Sequence, residues 1–467
     1  MRLISDIPVL LYLSYAVLHS FLLHTLAYEV CSNEAGGGED GICPNGDTCC
    51  RRPDNSWGCI ASDMGRNTAT CCSDDSFTGC PVGYTCRSEE HDCIALNNSK
   101  SRFADPLTRV LPRYRLCHAN EIRTVHGLLV NASSMKNSTI HAEIPYFSNM
   151  GPLERIPANV SSTVDMALII IHGATRNGDD YFCAAKATLE LQDRFSNVLI
   201  LSLNYYSVSD DRPRHSLLYW NSKDADGQWR YGADSSGPVR YSSFSVLDQV
   251  VGQVQRQFAN LQRITVAGHS AGGQLTQRWA LLSDVPQNGG NYHFQTVVAN
   301  PSNYAYLSPH RYMNGSWTIP NNINCPDYDK WEWGLQSGGD ADVRYRDEAL
   351  AKNVTAVLER YKTRNVYYLV GGLDRCNVSE SEASGWCHSH GLETKCMDMW
   401  QGSNRYERNS RYVASLRRLG FGGKHHQRLV IPGVGHDHSM MFQSPNGIHA
   451  IYYGVPEGTN VETAESR

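Results

Sequence analysis

Short apolar runs recur along most of this chain, with polar or periodic stretches between them. Met166 to Ile171, Val198 to Leu203, Ile264 to Val266, Phe294 to Ala299, Val366 to Val370 and Arg428 to Ile431 are rich in β-branched and aliphatic residues. Runs that are continuously apolar rather than alternating predict strands buried on both faces. Between them the period changes. Tyr241 to Phe258 carries Phe244, Leu247, Val251, Val254 and Phe258 close to helical spacing. Gly273 to Leu282, Val343 to Tyr361 and Arg405 to Leu419 also predict helices. Ile122 to Val130 and Thr139 to Phe147 predict an antiparallel pair ahead of the rest. Strands alternating with amphipathic helices imply an α/β fold, a mostly parallel sheet covered on both faces. No internal repeat interrupts the pattern.

The first hundred or so residues differ. Arg2 gives a basic start, Ile7 to Leu23 is mostly apolar, and Thr25-Leu26-Ala27 offers small residues for cleavage. Residues 1–27 are therefore expected to be a signal peptide, with an uncleaved anchor as the alternative. No second run of membrane length follows, so no stable span is expected after cleavage. The expected location is extracellular. Seven Asn-x-Ser/Thr sequons, at Asn97, Asn131, Asn137, Asn159, Asn314, Asn353 and Asn377, agree with secretion and glycosylation. So does the cysteine usage: of 16 cysteines, ten lie between Cys31 and Cys93. That segment holds 11 acidic and 4 basic residues and almost no aliphatic ones. Burial cannot offset its chain entropy, so disulfides must. The chain's net charge of −5, with no basic stripe, excludes a general nucleic-acid binder.

Within residues 28–95 the spacing Cys43-x5-Cys49-Cys50, Trp57-Gly58-Cys59, Cys71-Cys72, Cys80-x5-Cys86 resembles a granulin module. That family stacks short hairpins on a ladder of disulfides. Here Ile60 and Gly79 stand where two cysteines of the ladder would pair with each other, so their joint loss is self-consistent. The resemblance implies the pairs Cys31–Cys49, Cys43–Cys59, Cys50–Cys71, Cys72–Cys86 and Cys80–Cys93. A cell-wall or cell-surface partner is expected for this module. A zinc site at the paired cysteines lacks the usual two-residue spacers. No metal or cofactor is expected. Residues 96–118 read as a linker, 119–453 as the catalytic domain and 454–467 as a polar, flexible tail.

The chemistry centres on Gly268-His269-Ser270-Ala271-Gly272, which follows an apolar strand and opens a helix. A serine on such a turn has the geometry of a nucleophile elbow. Serine needs a base to take its proton and a group to orient that base. Asp374 ends the run Tyr367 to Val370 through a glycine turn and is the candidate acid, with Asp398 and Asp342 as rivals. His436 follows the last run through a Gly-rich loop and is the candidate base. His438 competes for that role or caps the helix at Ser439. Backbone N–H groups of Ala271 and of Ala174 or Gly173 are candidates for an oxyanion hole. His172 is expected to pack or orient that loop, and Arg176-Asn177 to brace it or to form a plain surface turn.

These residues, in this order over about 160–445, resemble the α/β-hydrolase superfamily. His172-Gly173-Ala174-Thr175-Arg176-Asn177 and Gln401 to Arg408 are similar to stretches in a group of secreted fungal-type hydrolases. The resemblance implies an acyl-enzyme on Ser270, proton transfer by His436 and orientation by Asp374. An esterase acting on a carboxylic ester is expected. A serine peptidase on the same fold and a non-catalytic binding protein are the alternatives. The aromatic stretches Tyr205 to Tyr241 and Tyr304 to Trp333 are read as pocket lining or as local mini-cores. Cys117, Cys183, Cys325, Cys376, Cys387 and Cys396 allow three bridges, one of them pinning the acid loop at Cys376 and one joining Cys387 to Cys396.

Overall fold

A computed structural model describes residues 28–31, 41–44, 48–51, 57–60, 70–71, 79–80, 84–87, 92–95, 126–130, 142–190, 197–210, 212, 215–221, 228–285, 292–338, 343–379 and 391–454. The expected signal peptide, linker and tail beyond 454 lie outside these residues. So do Asn97, Asn131, Asn137, Asp342, Cys117 and Cys387, and the side chains of the ten N-terminal cysteines.

The chain divides into two compact units, Met1–Val110 and Leu111–Arg467. The described part of the first consists of four antiparallel two-strand ladders. They pair Tyr28–Cys31 with Gly41–Pro44, Thr48–Arg51 with Trp57–Ile60, Thr70–Cys71 with Gly79–Cys80, and Tyr84–Arg87 with Asp92–Ala95.

The second unit is built on an eight-stranded sheet. Its strands are β1 (His126–Val130), β2 (Ala142–Ser148), β3 (Met166–Ile171), β4 (Val198–Leu203), β5 (Arg263–His269), β6 (His293–Ala299), β7 (Asn365–Gly371) and β8 (His426–Ile431). Their order across the sheet is 1-2-4-3-5-6-7-8. β1 and β2 pair antiparallel, β2 and β4 likewise, and all other neighbours are parallel.

Each central strand divides its side chains between two cores. Ala167, Ile169 and Ile171 of β3 join one apolar cluster, and Met166, Leu168 and Ile170 join the other. Every residue of β3 and β4 is buried, which is why these runs lack polar alternation. Helices α2 (Ser243–Gln257), α3 (Ala271–Leu282), α4 (Arg344–Lys362) and α5 (Arg405–Arg418) contribute to the first core. Helices α1 (Gly178–Glu190) and α6 (His438–Gln443) contribute to the second. Helix α2 shows the local logic. Ser242 accepts from Phe244 N–H at its start, and Phe244, Leu247, Val251 and Val254 form the buried stripe.

Two expectations need amendment. The helix expected over Val343 to Tyr361 is α4, but it breaks at Asn353, whose extended backbone (φ −174°, ψ 105°) lets Oδ1 accept from Ala356 N–H at 3.0 Å and restart the helix. Asn-x-Thr favours such local capping over helix continuation. Cys396 bonds Cys325, not Cys387, closing a 71-residue separation instead of a short loop. Sequence proximity misled here, because the fold brings the 325 loop against the helical turn Cys396–Met399. Cys183 and Cys376 are also disulfide-bonded.

Candidate active site

Ser270 occupies the single residue between the end of β5 and the start of α3. Its backbone is strained, at φ 56° and ψ −120°. The turn closes so tightly that neighbouring side chains cannot be accommodated. A Cβ at Gly268 would lie 2.2 Å from Gly272 O, and one at Gly272 would lie 2.4 Å from Ile171 O. Ser270 N–H donates to Ala299 O at 2.9 Å, and Ser270 O accepts from Gln274 N–H at 3.0 Å. These bonds fix the strained residue from both sides.

The structure brings all three candidate triad groups together. Ser270 Oγ lies 2.9 Å from His436 Nε2, and Asp374 Oδ2 lies 2.7 Å from His436 Nδ1. The carboxylate fixes the Nδ1–H tautomer, which leaves Nε2 as acceptor for the serine hydroxyl. Asp374 is 1% exposed and the His436 side chain 8%, so solvent screens the pair weakly. The acid and base loops are packed directly on each other. Leu373 N–H donates to Val434 O at 2.9 Å, and a Cβ at Gly371 would lie 2.3 Å from the same oxygen.

Asn300, just past β6, has no counterpart among the residues singled out from sequence. It is fully buried with φ 44°. Its Oδ1 accepts from Gly371 N–H at 2.9 Å, and its Nδ2 donates to Gly435 O at 3.1 Å. One amide thus ties the start of the acid loop to the residue before His436. The helpful sequence signal is its place directly after an apolar strand, but nothing local names its partners.

The loop after β3 stands beside the serine: a Cβ at Gly173 would be 3.5 Å from Ser270 Cβ. His172 is fully buried. Its Nε2 accepts from Tyr205 N–H at 2.8 Å, which puts its proton on Nδ1, 2.7 Å from Gly173 O. Arg176 N–H, at 3.2 Å, also donates to Gly173 O. With that carbonyl held, the trans peptide turns Ala174 N–H the opposite way. Gly173 itself packs against the Tyr181 hydroxyl, which a Cβ there would approach to 2.9 Å. Burial lowers the His172 imidazole to about 4, so the ring is neutral at ordinary pH. Arg176, itself at φ 58°, grips Ala174 O at 2.7 Å and forms a two-pronged pair with Asp210 at 2.7 and 3.0 Å. Asn177 reaches Asp180 at 2.6 Å.

The rival residues take other positions. His438 is not the cap of α6; Asp437 is, accepting from Met440 N–H at 2.7 Å. The shorter carboxylate one residue earlier reaches the helix end, while the His438 ring stacks on Tyr181 at 4.0 Å. Asp398 is buried and accepts from Asn303 at 2.7 Å and Trp333 at 2.6 Å. The aromatic stretches are mostly core: Tyr205, Trp220, Trp229, Tyr304, Tyr306, Trp331 and Trp333 are all buried. Tyr206, Tyr219, Tyr312 and Trp317 are half-buried. Among the described residues no group of three or more His, Cys, Asp or Glu could hold a metal ion. None of their helices is long and apolar enough to cross a membrane.

No family model matches the chain, and no curated protein matches it. Among solved structures it is similar to poly(aspartic acid) hydrolase-1 from Sphingomonas sp. KT-1, at 19% identity and TM-score 0.42, over 68% of this chain and 95% of that one. It is similar to LpqC, a poly(3-hydroxybutyrate) depolymerase from Bordetella parapertussis, at 16% identity and TM-score 0.44, over 72% and 92%. A Pyrobaculum calidifontis esterase is 13% identical, with TM-score 0.34, over 74% and 87%. At these values the likeness says nothing of what this chain does.

Proposed function

We propose that this protein is a serine hydrolase of the α/β-hydrolase type that cleaves carboxylic esters. The observation that carries the reading is the line of hydrogen bonds from Ser270 through His436 to Asp374. In this reading His436 Nε2 removes the hydroxyl proton as Ser270 Oγ attacks the ester carbonyl. The ring then carries a positive charge beside the buried Asp374 carboxylate. The N–H of Ala271, which opens α3 and has no acceptor within its own helix, and the N–H of Ala174 take the negative oxygen. His436 returns its proton to the leaving alcohol, and water repeats the cycle on the acyl-enzyme. No step calls for a metal or cofactor.

The protein is also proposed to be secreted and glycosylated, with the granulin-like module as a cell-wall or cell-surface contact. The four sequon asparagines among the described residues, Asn159, Asn314, Asn353 and Asn377, are all exposed, as glycan attachment requires. Hydrolysis of p-nitrophenyl acyl esters of graded chain length, run beside peptide amides, tests the substrate class. Ester turnover without amide turnover is expected. The reverse pattern makes the protein a peptidase, and no turnover of either favours a binding protein.

A further inference from the structure

The triad carboxylate has two oxygens, and His436 engages only Oδ2. The other, Oδ1, faces the guanidinium of Arg405, whose Nη1 lies 3.5 Å away. Both side chains are sealed from water, at 5% exposure for Arg405 and 1% for Asp374. A buried cation held against a buried carboxylate is costly unless geometry fixes it, and here the geometry is fixed from several sides. Arg405 is the first residue of α5. Asn404 Oδ1 accepts from Glu407 N–H at 2.9 Å, and Glu407 reaches back to Ser403 N–H at 2.6 Å, a reciprocal cap that sets the backbone of Arg405. Gln401 pins the preceding turn by bonding both the N–H and the C=O of Tyr304, at 2.9 and 2.8 Å. Arg405 Nη2 donates to Gly391 O at 2.7 Å, which aims its other arm at Asp374. The next residue completes the grip: Tyr406 N–H donates to Asp374 O at 3.1 Å. Arg375, beside the acid in sequence, turns away and lies over the Tyr406 ring at 4.1 Å.

We infer that Arg405 is a positioning residue of the active site: by pairing with Asp374 Oδ1 it orients the carboxylate so that Oδ2 meets His436. The stretch Gln401 to Arg408 is the frame that presents it. This rests on the triad reading above. Arg405 meets the triad at Asp374 and acts through that carboxylate. Its loss must therefore matter only while the carboxylate is there to be held.

A double-mutant cycle reads this directly. The rate at which a fluorophosphonate labels Ser270 is measured for the full chain, for Arg405→Met, for Asp374→Asn and for the pair. Removing the acid of such a triad costs roughly 10⁴-fold, so Arg405→Met is expected to cost about tenfold to hundredfold, and about twofold or less when Asp374→Asn is already present. With an ester substrate the loss falls on kcat while KM stays within about threefold, as expected for a group that acts on the transition state. If Arg405→Met does not fold, Arg405→Gln, which retains a donor for Gly391 O, takes its place in the same cycle. Equal losses in both backgrounds, or a single variant as reactive as the parent, overturn the inference. A parent chain that takes no phosphonate at Ser270 instead overturns the hydrolase reading, and the inference falls with it.

Discussion

Asp374 and Asp398 are both buried carboxyl groups on one scaffold, at 1% and 0% exposure, and they fare differently. Asp374 sits between an imidazole and a guanidinium, in the turn three residues past the end of β7. Asp398 accepts instead from two neutral donors, Asn303 and Trp333. Burial pushes its pKa up to about 6, Glu393 pushes the same way, and Arg408 only partly offsets them. Nearby Glu332 is raised well above its usual range by burial, and its Oε2 lacks a hydrogen bond. Burial pushes Glu393 upward too, but Arg230 and Arg408 outweigh it and hold that carboxyl at about 2. Burial alone therefore does not make a catalytic acid. In the proposed reaction, what separates Asp374 is a partner that can change charge, His436, and a hydrogen bond from that partner to Ser270.

The comparison can be broken most sharply at the triad. Asp374→Asn should lower kcat on the order of 10⁴-fold, whereas Asp398→Asn should leave kcat within about threefold. Steady-state ester hydrolysis separates the two; similar losses would erase the distinction. Next in size is the proposed oxyanion loop. His172→Phe keeps an aromatic ring but removes the Nδ1–H that holds Gly173 O, so kcat should fall about 10²-fold with KM little changed. A loss confined to KM would mean that His172 shapes binding instead.

Smaller effects belong to stability. Asn300→Ala leaves Gly371 N–H and Gly435 O without their side-chain partner and should cost about 1–3 kcal/mol in denaturant unfolding. Asp398 supplies a pH test. Its folded pKa is raised, so its contribution is fully present below the unfolded value and is lost as pH rises through about 6. The parent chain should thus lose about 1–3 kcal/mol from this group between pH 4 and 7, and Asp398→Asn should lack that slope. His172 works in the opposite sense. Its pKa is lowered to about 4, so its contribution is present above its unfolded value and is lost as pH falls toward 4. A parent and an Asp398→Asn variant with parallel stability curves over pH 4–7 would show that Asp398 is paired better than its contacts indicate.

Much of this was legible in the residues themselves. The central strands announce themselves because burial on both faces demands unbroken apolar runs, and β3 and β4 match the expected bounds at both ends. Ser270 was legible because an elbow needs glycines where backbone carbonyls approach within 2.2 to 2.4 Å of a would-be Cβ. Asn300 was not singled out, and Arg405 stood only within the stretch Gln401 to Arg408, without a role. Their partners lie between 14 and 135 positions away, and no local pattern encodes a contact of that range. The aromatic stretches were ambiguous for another reason: composition gives the number of rings but not which side of a loop they face. Trp229 faces inward, edge-on to His172 at 4.9 Å, and so packs against the loop after β3.

The most direct measurement of the central claim is peptide mapping after exposure of the full chain to a fluorophosphonate. A single phosphonyl adduct on Ser270, lost in Ser270→Ala and strongly slowed in His436→Ala, is the predicted result. An unmodified Ser270, or an adduct that forms as fast without His436, would contradict it.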